Sequence, residues 1–167
     1  MSAKKRAAIL WTALGVYLVL LVWLIVFKLH LNMTLSLAHS YRLPVNLIPF
    51  GAGLENPRLA VQEILLNVLT FVPLGLCLSA LERPRRVWAR VLCGAVLSIL
   101  FEAFQYAFNI GSADITDVIT NTIGTLCGIL LFCGLRALFK DKAAPIVGIG
   151  MLAAEALYIA AAVLYSV

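Results

Sequence analysis

The chain has 167 residues, of which 63% are hydrophobic and only 13% are charged, and its mean hydropathy is +1.01. Soluble globular domains contain about 45–50% apolar and about 25% charged residues, so this composition excludes an ordinary water-soluble domain. The net charge of +5 comes from short basic clusters between apolar runs. That arrangement indicates membrane topology and contact with anionic lipids, and it argues against a nucleic-acid partner.

The first predicted element is an uncleaved transmembrane helix at 7–27. It follows the basic residues Lys4, Lys5 and Arg6, as a signal peptide would. The apolar run is longer than the ~7–15 residues of a signal-peptide core, however, so we expect it to be retained.

A long connection follows at 28–62. In its first part Leu29, Leu31, Met33, Leu35 and Leu37 alternate with polar residues, which is the period of a strand. An apolar segment lying on the bilayer surface fits the same pattern, and the sequence does not decide between the two.

Four more helices are predicted, at 63–81, 91–108, 114–139 and 145–165. Gly124 and Gly128 form a GxxxG spacing, which permits close contact between membrane helices. The fold class is therefore all-α, a polytopic transmembrane bundle of about five helices. The four cysteines fall inside apolar runs without metal-ligand spacing, so we expect them to be small buried or lipid-facing residues without a redox or metal role; they are Cys77, Cys93, Cys127 and Cys133.

The basic residues predict the orientation of the bundle. With the N-terminus in the cytoplasm, ten of the thirteen Lys and Arg residues lie inside, and only Lys28, Arg42 and Arg58 lie outside. The positive-inside rule favours this arrangement.

Polar side chains recur at helical spacing on three consecutive predicted helices. The stripes are Glu63, Asn67 and Thr70, then Ser98, Glu102, Gln105 and Asn109, then Asp114, Asp117, Asn121 and Thr125. Because neighbouring helices run in opposite directions, all three stripes can meet in the outer leaflet, ~6–10 Å below its surface. We therefore predict an outward polar pocket of Asn67, Glu102, Gln105, Asp114, Asp117 and Asn121, capped by Asn46, Pro49 and Phe50 of the first loop.

Two interpretations of this pocket stay open. Inserting a carboxylate into the centre of a bilayer costs a free energy of at least ~2.5–3.5 kcal/mol. A protein that places several carboxylates there is therefore expected to use them for binding or catalysis. Alternatively, Asp114 caps a helix and the amides join helices by hydrogen bonds. Carboxylate and amide oxygens also suit Mg²⁺ or Ca²⁺. No histidine or known metal loop joins them, so neither a metal nor a cofactor is expected.

Four sequence blocks resemble the VanZ-like family. They are NLIPF at 46–50, NVLTFVPLG at 67–75, EAFQ at 102–105 and DITDVITNTIG at 114–124. The similarity runs from about residue 10 to 140, and the last block is the most specific. Many members carry an arginine after the glycine of the preceding turn, whereas Gly111 is followed here by Ser112, which argues against an arginine-assisted anion site.

The resemblance implies a multi-pass protein of the bacterial cytoplasmic membrane, from a family associated with resistance to teicoplanin-type glycopeptides. It places a VanZ-like transmembrane domain at 1–143 and leaves 144–167 as an additional C-terminal transmembrane helix. The biochemical activity of the family does not follow from the resemblance.

The leading functional hypothesis is a non-enzymatic protein whose outward pocket engages an envelope component. Membrane lipids, a lipid-linked cell-wall intermediate or the acyl tail of a lipoglycopeptide would meet such a site from the outer leaflet. The alternative is an intramembrane enzyme acting on a lipid head group, with Glu102 or Asp117 as general base. A transporter is disfavoured because the chain contains no internal repeat. The sequence predicts neither the ligand nor the oligomeric state.

Overall fold

The structure, a computed structural model, describes residues 2–36, 45–51, 57–108 and 112–165. Five α-helices lie in these ranges. They are α1 (Ala3–Ser36), α2 (Pro57–Ala80), α3 (Val87–Phe108), α4 (Ile115–Phe139) and α5 (Ala143–Tyr165). Two short strands, β1 (Val45–Asn46) and β2 (Ala113–Asp114), complete the described elements together with a 3₁₀ turn at Lys140–Lys142.

The first helix is longer than predicted. It continues through the alternating segment to Ser36, so the strand interpretation is wrong for residues 29–36. Extending an existing helix adds one hydrogen bond per residue, whereas an isolated strand has no partner to pair with. With 34 residues, α1 is about 51 Å long at ~1.5 Å per residue. Residues 37–44 and 52–56 of the predicted connection lie outside the described part.

The most extensive contact between helices in the described ranges joins α2 and α4. Gly124 and Gly128 of α4 lie against the backbone carbonyls of Val68 and Val72, and Gly75 of α2 lies against the carbonyl of Thr125. A side chain at any of these glycines would overlap the backbone of the facing helix. The GxxxG spacing therefore produces the close approach that the sequence predicts.

The apolar core joins α1, α2, α4 and α5. Leu10, Tyr17, Leu74, Phe132 and Val147 are all at most 7% exposed and belong to one cluster. The start of α5 packs beside the start of α1, since Gly148 approaches Ile9 and Leu10. The N-termini of α1 and α5 thus lie at the same end as the C-termini of α2 and α4.

The all-α transmembrane class is confirmed. Four apolar segments in the described ranges are long enough to cross a membrane, and the last of them, 115–164, contains both α4 and α5. These 50 residues would extend ~75 Å as one helix, more than twice the ~30 Å of a hydrocarbon core. The 3₁₀ turn at Lys140–Lys142 separates them into two helices.

A two-residue parallel pairing, absent from the predicted fold, links the first loop to the start of α4. Val45 lies opposite Ala113, and Asn46 lies opposite Asp114. This pairing brings the first loop to the end of the bundle where the polar stripes converge.

Candidate functional site

Asp114 connects three parts of the chain. It is the N-cap of α4, where its Oδ1 accepts a hydrogen bond of 2.7 Å from the backbone N–H of Thr116. Its Oδ2 accepts a bond of 2.9 Å from the side-chain amide of Asn46. Its own backbone N–H donates to Glu102 Oε2, also at 2.9 Å. A single residue therefore joins α3, α4 and the first loop.

The segment after β1 is fixed to this end of the bundle. The N–H of Ile48 donates to Asn46 Oδ1 at 3.1 Å, which forms a tight turn. The N–H of Phe50 donates to Thr116 Oγ1 at 3.0 Å. Phe50 has a φ of 60°, a left-handed conformation that is unfavourable for a bulky residue. Pro49 is exposed and belongs to the same turn. The predicted cap residues thus lie over the start of α4.

A second connection joins α2 to α4. The amide of Asn67 donates to Asp117 Oδ1 at 2.6 Å. A hydrogen bond to a carboxylate is stronger than one between neutral groups, so it reinforces the glycine contact that follows it along both helices. We use the name Asp114 cluster for Asn46, Asn67, Glu102, Asp114, Thr116 and Asp117.

A small cavity lies beside the cluster. Its volume is about 50 Å³, and one water needs at least ~10–15 Å³ on the same measure. The lining residues are Phe50, Ala60, Glu63, Ile64, Asp114, Thr116 and Asp117. Three carboxyl residues and one hydroxyl therefore surround a space large enough for a small polar group. The described residues contain no group of three or more His, Cys, Asp or Glu arranged to hold a metal ion.

Asn121 lies deeper in the bundle than the cluster. Its amide donates to Ser98 Oγ at 2.9 Å, which joins α4 to α3. Asn121 is 7% exposed and Ser98 is fully buried, while Asn121 Oδ1 has no hydrogen-bond partner among the described atoms. This contact fits the role of hydrogen bonding between helices.

The predicted site residues are not all brought together. Gln105 is half-buried on α3, and no hydrogen bond joins it to the cluster within the described residues. Thr70, expected in the α2 stripe, instead lies toward α1 and α5, where it lines a surface groove with Tyr17 and Glu155. Its backbone carbonyl accepts a bond of 2.9 Å from the hydroxyl of Tyr17. The helical spacing did not predict that Asn67 faces α4 while Thr70 faces away from it, because α2 packs against helices on more than one side.

Two residues of the site were missing from the predicted pocket. Thr116 is 9% exposed and bonds the first loop, and Glu63 lines the cavity. The sequence did point to Glu63, since this residue begins the polar stripe predicted on α2. Thr116 had the weaker signal of lying two residues after a helix-capping aspartate.

The cysteines lie apart from this site. All four are free; Cys77 is buried against α1, where its thiol donates to the carbonyl of Leu10, and Cys93 and Cys133 are exposed. These are the buried and lipid-facing kinds of position that the sequence predicts for them.

The part of the chain that is similar to known proteins includes every residue of the Asp114 cluster. A family model described as VanZ/LLP1 matches residues 14–139. A curated protein of Enterococcus faecium, named Protein VanZ, is 40% identical over 119 residues, which are 71% of this chain and 70% of that protein. No solved structure matches the chain. The family match ends at the last residue of α4, so α5 lies beyond it.

Proposed function

The chain belongs to the VanZ/LLP1 family, and from this membership we propose that it binds an amphiphilic component of the bacterial envelope through the Asp114 cluster. The proposed ligand is a lipid-linked cell-wall intermediate or an acylated glycopeptide of the teicoplanin type. The observation that carries the proposal is the cavity beside the cluster, where Glu63, Asp114 and Asp117 meet at one end of an apolar bundle.

The distribution of charge supports an outward position for the cluster in the cytoplasmic membrane. Ten of the thirteen basic residues belong to the opposite end of the bundle. They lie at the start of α1, connect α2 to α3, or flank the turn between α4 and α5. Because basic loops stay on the cytoplasmic side, the Asp114 cluster faces the outer leaflet in this orientation.

The chemistry of the cavity favours a ligand rich in hydrogen-bond donors. Carboxylates are acceptors when ionised, and the peptide and sugar groups of envelope intermediates and glycopeptides offer N–H and O–H donors. The space beside Asp114 admits one such group, not a whole ligand. Ala60 and Ile64 on α2 supply apolar surface next to it, which suits a ligand whose acyl chain stays in the lipid.

A susceptibility assay tests this proposal. Wild-type protein, Glu102→Gln and Asp117→Asn are expressed at matched membrane levels in a sensitive host, with Cys133→Ser as the control on the same helix as Asp117. We expect the wild type and Cys133→Ser to protect against an acylated glycopeptide and both carboxylate variants to lose protection. If both carboxylate variants protect fully, the cluster is not the binding site.

Direct binding separates a binding protein from an enzyme. Purified protein is titrated with the acylated glycopeptide and with a glycopeptide that lacks the acyl chain. Saturable binding of the first alone, weakened in Asp117→Asn and without conversion of the ligand, agrees with the proposal. Turnover of a lipid-linked substrate that disappears in Glu102→Gln would contradict it and indicate an intramembrane enzyme.

A further inference from the structure

The end of the bundle opposite the Asp114 cluster contains a second, larger cavity, of about 140 Å³. It lies where the N-termini of α1 and α5 meet the C-termini of α2 and α4. Leu10 and Phe132, which are 2% and 5% exposed, form its apolar floor. Arg6, Arg136 and Lys140 line its basic mouth. The cavity is therefore apolar inside and basic at its opening.

The cations at this cavity are incompletely neutralised. Three basic residues and two acidic ones, Glu82 and Asp141, line it, which leaves a net charge of +1. Arg136 donates to Glu82 at 2.9 Å, and both side chains are about 60% exposed. That bond uses one of the five N–H donors of the guanidinium. Neither Arg6 nor Lys140 forms an ion pair with any residue in the described ranges.

From this arrangement we propose that the cavity is a binding site for a phosphate group, supplied in the membrane by the head group of an anionic phospholipid. Guanidinium groups match phosphate oxygens in charge and geometry, and Lys140 adds a third cation. The apolar floor accommodates the part of a lipid next to its phosphate.

The position of the cavity favours a lipid over a soluble anion. It lies at the ends of helices long enough to span a membrane. In the proposed orientation this position corresponds to the head-group region of the cytoplasmic leaflet. Basic pockets between transmembrane helices on the cytoplasmic side are suited to anionic head groups. Arg6, Leu10 and Lys140 lie outside the family match, so the site does not follow from family membership.

Matched double variants test the site. Arg6→Gln with Lys140→Gln removes two charges from the cavity, and Arg85→Gln with Arg86→Gln removes two from the exposed loop between α2 and α3. Binding of phosphatidylglycerol, phosphatidylethanolamine and inorganic phosphate to the purified protein is measured by native mass spectrometry. Thermal unfolding of both variants in detergent confirms that each remains folded.

We expect the cavity variant to bind phosphatidylglycerol about 10- to 30-fold more weakly, from the contribution of each basic residue near an anionic surface. The affinity of the loop variant for phosphatidylglycerol should differ from that of the wild type by less than about threefold. The wild type should bind phosphatidylethanolamine more weakly than phosphatidylglycerol. Inorganic phosphate bound as tightly as the lipid, and lost in the same variant, would keep the phosphate site but assign it to a soluble source. Equal weakening in both variants, or none in either, would overturn the proposal. Neither result depends on the Asp114 cluster.

Discussion

Replacing Gly124 by alanine tests the contact that positions α2 against α4. A Cβ at this position would overlap the carbonyl of Val68 and lie 3.0 Å from its Cα. The obstacle is backbone, so no change of side-chain rotamer relieves it and the two helices must separate. Asn67 is next to Val68 in the chain, and its 2.6 Å hydrogen bond to Asp117 would lengthen as the helices move apart.

The expected loss of stability combines three terms. Overpacking costs about 1–3 kcal/mol, and the higher helix propensity of alanine returns about 1 kcal/mol. Weakening a hydrogen bond to a charged group costs up to about 1.5–3 kcal/mol. With that hydrogen bond lost, we therefore expect Gly124→Ala to lower the free energy of unfolding by about 1.5–5 kcal/mol. Gly134, on the same helix, has no atom of a facing element within 4 Å of where a Cβ would lie, so Gly134→Ala should instead gain up to about 1 kcal/mol.

The free energy of unfolding can be measured by titrating micelle-solubilised protein with sodium dodecyl sulphate and following helicity by circular dichroism. The opposite signs of the two glycine variants make the comparison independent of detergent effects common to both. If Gly124→Ala is as stable as the wild type, the α2–α4 contact tolerates separation and the reasoning fails. Equal destabilisation by Gly134→Ala would show that the effect is not specific to the contact.

Three further predictions concern other parts of the chain. Glu155→Met should raise the free energy of unfolding by about 1–3 kcal/mol in the same titration. The reason is that both carboxyl oxygens of Glu155 are buried without a hydrogen-bond partner among the described residues. A lower free energy of unfolding in this variant would contradict the prediction and indicate that the carboxyl group is needed. Asp114→Asn keeps an acceptor for the cap of α4 but places an amide N–H₂ group against that of Asn46, so the bond to the first loop is lost. Limited proteolysis should therefore cut the chain faster on the N-terminal side of α2, while the helicity is unchanged. In cells, a cysteine introduced at Ser112 should react with a membrane-impermeant maleimide and one at Arg86 should not, in a cysteine-free background; the reverse pattern would invert the proposed orientation.

Helical spacing predicted the contacts that depend on one helix face. Ser98 and Asn121 occupy the predicted stripes of α3 and α4, and they bond each other. Gly124 and Gly128 likewise indicated a close helix contact from their spacing, and they form it with α2. Such pairs are predictable because a helix fixes which residues share a face, and a short connection makes two helices antiparallel neighbours.

Contacts between distant segments were not predictable in the same way. The bond from Asn46 to Asp114 spans 68 residues, and the β1–β2 pairing beside it involves only two residues on each side. No local periodicity marks so short a strand. The extension of α1 to Ser36 was missed for a different reason, since alternating polarity over a few residues fits a helix leaving the bilayer as well as a strand.

The helix α3 is held on the bundle by a few buried residues and by hydrogen bonds to the start and middle of α4. Only Gly94, Ser98 and Glu102 of this helix are buried. Gly94 lies against the side chain of Thr125, and Leu97 and Phe101 pack half-buried against the core, with Phe101 edge-on to Phe71. Lipid tails can replace an apolar neighbour at little cost, but they cannot replace the partners of Ser98 and Glu102. The hydrogen bonds of Ser98 to Asn121 and of Glu102 to the backbone N–H of Asp114 therefore fix the position of α3 along α4 more specifically than its apolar contacts do.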